Sequence, residues 1–199
     1  LVAASLAGMA VTSALATVAW LARNEAERQR VRAEAEAETA RQTTRFMVDL
    51  FKVSDPSEAL GNTITAREIL DKGAARIDRE LVDQPAIQAT LMDTMGTVYT
   101  SLGLYDPAAQ LVRKGYERRQ KLWGENHPEV ASSLAHLGEV LTLKSEYAEA
   151  EKRLRAALEI RKQAFGESSR EVADTLSLLA EVLGHKGEYV QGEGLIREA

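Results

Sequence analysis

The sequence repeats itself with a period of 42 residues. Seven sets of positions separated by this offset carry the same or a closely similar residue, and chance would supply one such set but not seven in register. The sets are Gly96/Gly138/Ala180, Tyr105/Tyr147/Tyr189, Val98/Val140/Val182, Ala89/Ala131/Ala173, Arg113/Arg155/Arg197, Gly124/Gly166 and Arg119/Arg161. This periodicity predicts an array of stacked units that share one continuous core.

Each unit is predicted to be a pair of amphipathic helices, named A and B. In the middle unit, apolar residues at three- and four-residue spacing run from about Pro128 to Leu143, and a second such pattern follows a turn at residues 144–146. Gly124 suits the end of the preceding helix, because a glycine adopts positive φ freely. Asn126 or His127 then serves as the N-cap of helix A.

The composition agrees with a folded, all-helical protein. Hydrophobic residues make up 45% and charged residues 28%, but only 5% are aromatic, which favours helices packed through small residues over sheets. The net charge of -5 lacks the basic surplus of a dedicated nucleic-acid binder. The absence of cysteine excludes disulfides and cysteine-based zinc sites.

The small residues Gly96, Gly138 and Ala180 require a cause, because glycine inside a helix costs about 1 kcal/mol relative to alanine. We expect the backbone of helix B to approach closely at these positions, with Ala108 and Ala150 on the opposite side of the contact. The tyrosines at 105, 147 and 189 fall at the turn from helix A to helix B, where we expect them to be packing residues.

The middle unit resembles the tetratricopeptide repeat. The residues that carry the resemblance are Leu134, Leu137-Gly138, Leu141, Ala150, Leu154 and Ala157, with leucine in place of the signature's first aromatic residue. The 42-residue period is similar to the longer repeats of the kinesin light chain type. The resemblance implies an α-solenoid of three helix hairpins over residues 84–125, 126–167 and 168–199, the last one truncated.

Residues 46–83 are predicted to be a degenerate pair of helices that caps the apolar end of the array. The first of them is expected to stop near Asp55-Pro56, and the second begins at a capping box formed by Thr65 and Glu68.

Residues 1–22 contain no charged residue and predict a transmembrane helix. As a helix, about 22 residues reach roughly 33 Å, which matches the hydrocarbon core of a bilayer. Trp20 suits an interfacial anchor, and Arg23 ends the run. A signal peptide cleaved near Ala14-Leu15-Ala16 and a buried soluble helix are the alternatives. Residues 23–45 alternate acids with arginines and predict a charged helical stalk.

A second resemblance covers nearly the whole chain. An apolar span, an Arg/Glu-rich stalk, the stretch FKVSDPSEALGNTITAREILDKGAARI and 42-residue repeats together resemble the C-terminal half of bacterial membrane-anchored serine/threonine protein kinases. The resemblance implies a single-pass membrane protein with periplasmic or extracellular repeats. It also implies a kinase domain upstream of Leu1, where ATP and magnesium would bind.

The residues themselves predict no catalytic residue, cofactor or metal. No Gly-rich loop, HRD-type loop or DFG motif occurs between Leu1 and Ala199. His127, His136 and His185 lack partners at metal-ligand spacing.

The tetratricopeptide resemblance implies a ligand groove lined by helix A. Its positions are Thr90, Asp93, Thr97, Thr100 and Ser101 in the first repeat, Ser132, Ala135, Glu139, Thr142 and Leu143 in the second, and Asp174, Ser177, Glu181 and His185 in the third. Acids and hydroxyls stand where that family's carboxylate-binding Lys and Asn residues would be. The groove is therefore expected to select polar or basic segments, unless it holds no ligand in these repeats.

Three classes of function follow. The first is a membrane-tethered scaffold or sensor that binds a protein or peptide, and the second is the regulatory region of a serine/threonine protein kinase. The third is a structural assembly protein, which predicts self-association through the capping helices.

Overall fold

The computed structural model describes residues 2–52 and 65–199, apart from the side chains of residues 2–16, 32, 51 and 52. Every regular element within these ranges is an α-helix. The elements are α1 Val2–Lys52, α2 Ala66–Glu80, α3 Pro85–Ser101, α4 Tyr105–Trp123, α5 Pro128–Leu143, α6 Tyr147–Phe165, α7 Arg170–His185 and α8 Tyr189–Glu198. The predicted all-α class is confirmed.

The chain divides into two compact units, Leu1–Arg45 and Phe46–Ala199. In the first unit the alternating charges pair along the helix, as Arg30 does with Glu27 at 3.4 Å and with Glu34 at 3.2 Å. Such exposed pairs add little stability. The segment is helical mainly because it is rich in strong helix formers such as Ala, Glu and Arg. The helix runs without a break across the composition change at residue 23.

The predicted transmembrane segment, residues 1–22, falls mostly on side chains outside the described set. Among the residues that are described, Val18, Trp20 and Leu21 are exposed. None of the helices in the described residues is both long and apolar enough for a bilayer crossing.

The second unit is a stack of helix hairpins. Helices α3 and α4, α5 and α6, and α7 and α8 pair within a repeat, and each B helix packs on the next A helix. The A helix α5 also contacts α3 and α7, whereas no comparable contact joins the B helices α4 and α6 within residues 65–199. The A helices therefore lie on the tighter, inner side of the stack.

A cap closes the start of the stack. The last turns of α1 bury Phe46 and Leu50, and Leu50 packs on Gly73 of α2. The predicted capping box is present: the Thr65 hydroxyl accepts from the Glu68 amide at 3.2 Å, and the Glu68 carboxylate accepts from the Thr65 amide at 2.9 Å. The predicted stop near residues 55–56 lies outside the described residues.

Small residues set the spacing within each hairpin. A Cβ on Gly138 would lie 2.6 Å from Leu154 Cγ and 3.4 Å from the Ala150 carbonyl oxygen. The expected close backbone approach is thus accompanied by a closer side chain, which the sequence pattern did not indicate. Gly96 meets Val112 of α4 in the same way.

In the third hairpin the alanine lies on helix A and the glycine on helix B, the reverse of the second hairpin. Ala180 stands in the register of Gly138, and Gly192 stands in the register of Ala150. A Cβ on Gly192 would lie 3.2 Å from the Ala180 carbonyl oxygen. The first two hairpins therefore place the glycine on helix A, whereas the third places it on helix B.

The turn between helices A and B needs a residue with positive φ. Gly103 and Gly187 supply it at φ 72° and 81°, but the middle repeat places Ser145 there at φ 63°. A side chain in this left-handed region costs on the order of 1 kcal/mol, which the surrounding packing must offset.

Candidate functional site

The predicted groove positions all lie on the A helices α3, α5 and α7. Nine of them are exposed: Thr97, Ser101, Ser132, Glu139, Leu143, Asp174, Ser177, Glu181 and His185. Thr90, Asp93 and Thr100 are half-buried. Because neighbouring A helices contact one another, these side chains form one continuous surface.

Two predicted groove residues do not reach this surface. Ala135 and Thr142 are buried, and the Thr142 hydroxyl donates to the Gly138 carbonyl oxygen one turn back at 2.8 Å. Helical rotation turns these two side chains toward the interior of the hairpin.

An acidic pair occupies the middle of the surface. Glu139 and Glu181 stand in the same register on α5 and α7. Partial burial raises the pKa of Glu139, and the charge of Glu181 raises it further. In residues 65–199 no ion pair is formed by Glu139, and Glu181 lies 3.8 Å from His185 Nε2. The negative charge of Glu139 therefore has no ion-pair partner within these residues.

An aromatic contact borders the acidic pair. Tyr147, the first residue of α6, stacks on His185 at the end of α7, with ring centroids 5.0 Å apart and planes 6° apart. Tyr105 begins α4 and is half-buried, whereas Tyr189 at the start of α8 is exposed. Of the three repeated tyrosines, Tyr147 thus packs against the A helix of the following repeat.

Asp93 points into the seam between the first two repeats. Its Oδ2 accepts from Arg119 Nη1 of α4 and from the Ser133 hydroxyl of α5 at 3.1 Å. His136 Nδ1 lies 3.9 Å from Asp93 Oδ1, and His136 Nε2 lies 3.5 Å from the Thr97 hydroxyl. The exposed fraction of the side chain is 6% for Arg119, 18% for Asp93 and 17% for His136.

The second seam, between the second and third repeats, has an arginine in the register of Arg119 but no carboxylate in the register of Asp93. Arg161, in the register of Arg119, donates to the Thr175 hydroxyl at 2.7 Å and to the Glu171 carbonyl oxygen at 3.0 Å. Ala135 takes the place of Asp93, and Leu178 takes the place of His136. Burial lowers the pKa of both arginines.

Sequence reasoning did not single out Ser133 or His136 as partners of Asp93. The signal available was the Arg119/Arg161 set, which marks a position on helix B that bridges consecutive A helices. In the part of the chain that the structure describes, no group of His, Asp or Glu side chains is placed to hold a metal ion.

Comparison with known proteins identifies the repeats. The family model for the tetratricopeptide repeat matches residues 89–163 and residues 129–199, together more than half of the chain. A solved structure of BtubC (BKLC) from P. vanneervenii is 16% identical, with a TM-score of 0.57 over 82% of this chain and 72% of that chain. No curated protein matches the sequence.

Two further solved structures come from Podosopora anserina, a kinesin light chain candidate of nearly identical TPR-like repeats and a point variant of the same protein. Both are 16% identical and cover 66% of this chain, with TM-scores of 0.56 and 0.57. The chain spans 62% of the length of each. These likenesses show the fold, and they confirm the kinesin-light-chain-like solenoid.

Proposed function

The chain belongs to the tetratricopeptide repeat family, and from that premise we propose that its A helices hold a polar or basic segment of a partner protein. The contiguous exposed surface of α3, α5 and α7 supports this proposal, because a stacked array leaves one extended face free for a ligand. The described residues offer binding groups and no catalytic constellation. The molecule acts as a scaffold or sensor.

The observation that carries the ligand class is the acidic pair Glu139 and Glu181. Both are exposed, and partial burial together with their mutual repulsion raises the pKa of Glu139. A lysine or arginine from a partner would relieve this repulsion and form charge-assisted hydrogen bonds. An acidic peptide C-terminus would add a third negative charge at the same place. Electrostatic complementarity therefore favours basic segments.

We expect Glu139→Gln/Glu181→Gln to weaken binding of a basic peptide roughly tenfold, or about 1.4 kcal/mol. The substitutions remove both charges and leave the shape nearly unchanged. Isothermal titration calorimetry of the full chain with lysine- and arginine-rich peptides measures the loss. The wild-type affinity should fall as salt rises. It should also fall as the pH drops through the raised pKa of Glu139, because the protonated carboxyl no longer attracts a cation.

The chain provides a matched control. Glu117 and Glu159 are exposed on the B helices α4 and α6 at the same 42-residue separation. Glu117→Gln/Glu159→Gln removes the same charge outside the groove and should leave affinity within twofold, roughly 0.4 kcal/mol. Equal losses in the two double variants would reduce the effect to net charge. Tighter binding of acidic peptides would overturn the choice of ligand.

We further propose that residues 1–22 tether the molecule to a membrane as a single-pass protein with extracytoplasmic repeats. The uncharged run supports the tether. Leu6→Arg/Val11→Arg places two charges within it, each costing about 2.5–3.5 kcal/mol in a bilayer. The full chain should resist alkaline extraction from membranes and this variant should not. Val31→Arg, in the stalk, is the control, and equal extraction of all three proteins would contradict the tether.

A second function is proposed because the order of segments favours it: the repeats are the regulatory region of a serine/threonine kinase. The supporting pattern is an apolar run, a charged helix, a cap and 42-residue repeats. The intact reading frame decides between the two functions. A Gly-rich loop, an HRD-type loop and a DFG motif before Leu1 would establish the kinase, with ATP and magnesium bound there. A short basic start would favour an anchored scaffold.

A further inference from the structure

The seam between the first two repeats contains a buried polar cluster that is not required by the repeat pattern. It consists of Asp93 on α3, Arg119 on α4 and His136 on α5. Arg119 and Asp93 form an ion pair, and His136 packs beside them close to Gly96. Three elements thus meet at one group of titratable and charged side chains.

The same chain shows how this seam is built without the cluster. In the second seam Ala135 and Leu178 stand in the registers of Asp93 and His136, and Leu178 packs against the hydrophobic core. The arginine is kept there as Arg161, which donates to the Thr175 hydroxyl and the Glu171 carbonyl oxygen, so that seam closes without a carboxylate or a histidine in these registers. Stability alone therefore gives no reason for the polar version in the first seam.

We propose that the Asp93–Arg119–His136 cluster is an acid-sensitive joint, which loosens the first repeat from the second when His136 takes up a proton. The joint acts on one seam only, because the second seam has no histidine in this register. The array would bend or open between α3–α4 and α5, while α5–α6 and α7 stay docked.

The charges around His136 explain why its protonation would loosen this seam. The charged groups that the structure places against it are Asp93 of α3 and Arg119 of α4. Arg119 and Ser133 both bond Asp93 Oδ2, and His136 Nδ1 lies 3.9 Å from Oδ1, beyond hydrogen-bond distance. In the closed seam a protonated imidazole would therefore be buried beside the guanidinium of Arg119 without a hydrogen bond to the carboxylate. Burial lowers the pKa of His136, and the charge of Arg119 lowers it further.

The sign of the pH dependence follows from this lowered pKa. As the pH falls through about 6.5, the unfolded chain binds a proton on His136 but the closed seam does not. The contribution of His136 to stability is therefore fully present above about pH 6.5. It declines as the pH falls toward the lower pKa of the folded seam, below which it stays constant.

Thermal melts of the full chain at pH 8 and pH 5.5, in one mild detergent, test the joint. The variant Asp93→Ala/His136→Leu copies the residues of the second seam. Wild type should lose at least about 2 °C more in Tm between the two pH values than this variant. His136→Gln keeps the Asp93–Arg119 pair and should show the same reduced pH dependence, so the test survives if the double variant fails to fold.

A second readout locates the change. Hydrogen exchange of wild type at pH 5.5, corrected for the intrinsic rate, should show faster exchange in α3 and the start of α5 than in α7. His185→Gln alters an exposed histidine of the second seam and should retain the wild-type pH dependence. The joint is ruled out if His136→Gln loses as much Tm in acid as wild type, or if α3 and α7 lose protection equally.

Discussion

Gly138→Leu should lower the free energy of unfolding by about 3 kcal/mol or more, because no space for a side chain exists at this position. A single added Cβ would already lie 2.6 Å from Leu154 Cγ and 2.9 Å from its Cδ2. Overpacking of a tight core costs about 1–3 kcal/mol, and the three further carbons of leucine must also separate α5 from α6. The gain in helix propensity, about 1 kcal/mol, offsets only part of this. Denaturant unfolding followed by circular dichroism at 222 nm measures the difference.

Gly184 supplies the control for this substitution. It also lies inside an A helix, but a Cβ there would meet nothing within 4 Å. Gly184→Leu is therefore expected to be neutral or to stabilise the protein by up to about 1 kcal/mol through helix propensity alone. A Gly138→Leu protein as stable as wild type would mean that the two helices are not in close contact, and the stacked-hairpin architecture would have to be abandoned.

Asp93→Ala should destabilise the array by about 3 kcal/mol, since it leaves a buried guanidinium without its carboxylate. The Arg119 side chain is only 6% exposed, and its remaining acidic neighbour, Glu129, lies 3.4 Å from Nε at the edge of the seam. Asp174→Ala removes an aspartate from α7 that is 62% exposed and pairs weakly with Arg170. That control should change stability by no more than about 0.5 kcal/mol.

A double-mutant cycle separates the ion pair from general loss of packing. Arg119→Leu alone should also be costly, because Asp93 then keeps only the Ser133 hydroxyl as a hydrogen-bond donor. In Asp93→Ala/Arg119→Leu the buried charge is gone from both sides, so the loss should be smaller than the sum of the single losses by about 1 kcal/mol or more. Additive losses would show that the two side chains do not stabilise each other.

The sequence was sufficient for the features that repeat. Pro128 and Leu143 were expected as the limits of a helix, and α5 has these limits because proline, an N-cap and apolar periodicity all act locally. The capping box of Thr65 and Glu68 is local in the same sense. Gly138 was recognised as a contact position because a costly residue recurs at one register.

Features that depend on the distance between repeats could not be read from the sequence. Asp93 was assigned to the groove from its position on helix A, yet its partner Arg119 lies 26 residues away on another helix. Nothing local distinguishes Thr142, which turns inward, from the exposed Leu143 that follows it. The long α1 shows the converse: composition changes at residue 23, but helix propensity does not, so the helix continues.

Alanine and glycine have exchanged helices between the second and third hairpins, and this exchange restricts how helices from different repeats can be combined. Joining the A helix that contains Ala180 to α6 would place the alanine methyl group against Leu154, because a Cβ at the register of Gly138 would lie 2.6 Å from Leu154 Cγ. Joining the Gly138 helix to the Gly192 helix would bring two glycines together and leave a void where each natural hairpin has an alanine methyl group. Complete A–B pairs, rather than single helices, are therefore the pieces that evolution or an engineer can shuffle, duplicate or delete without repacking their interior.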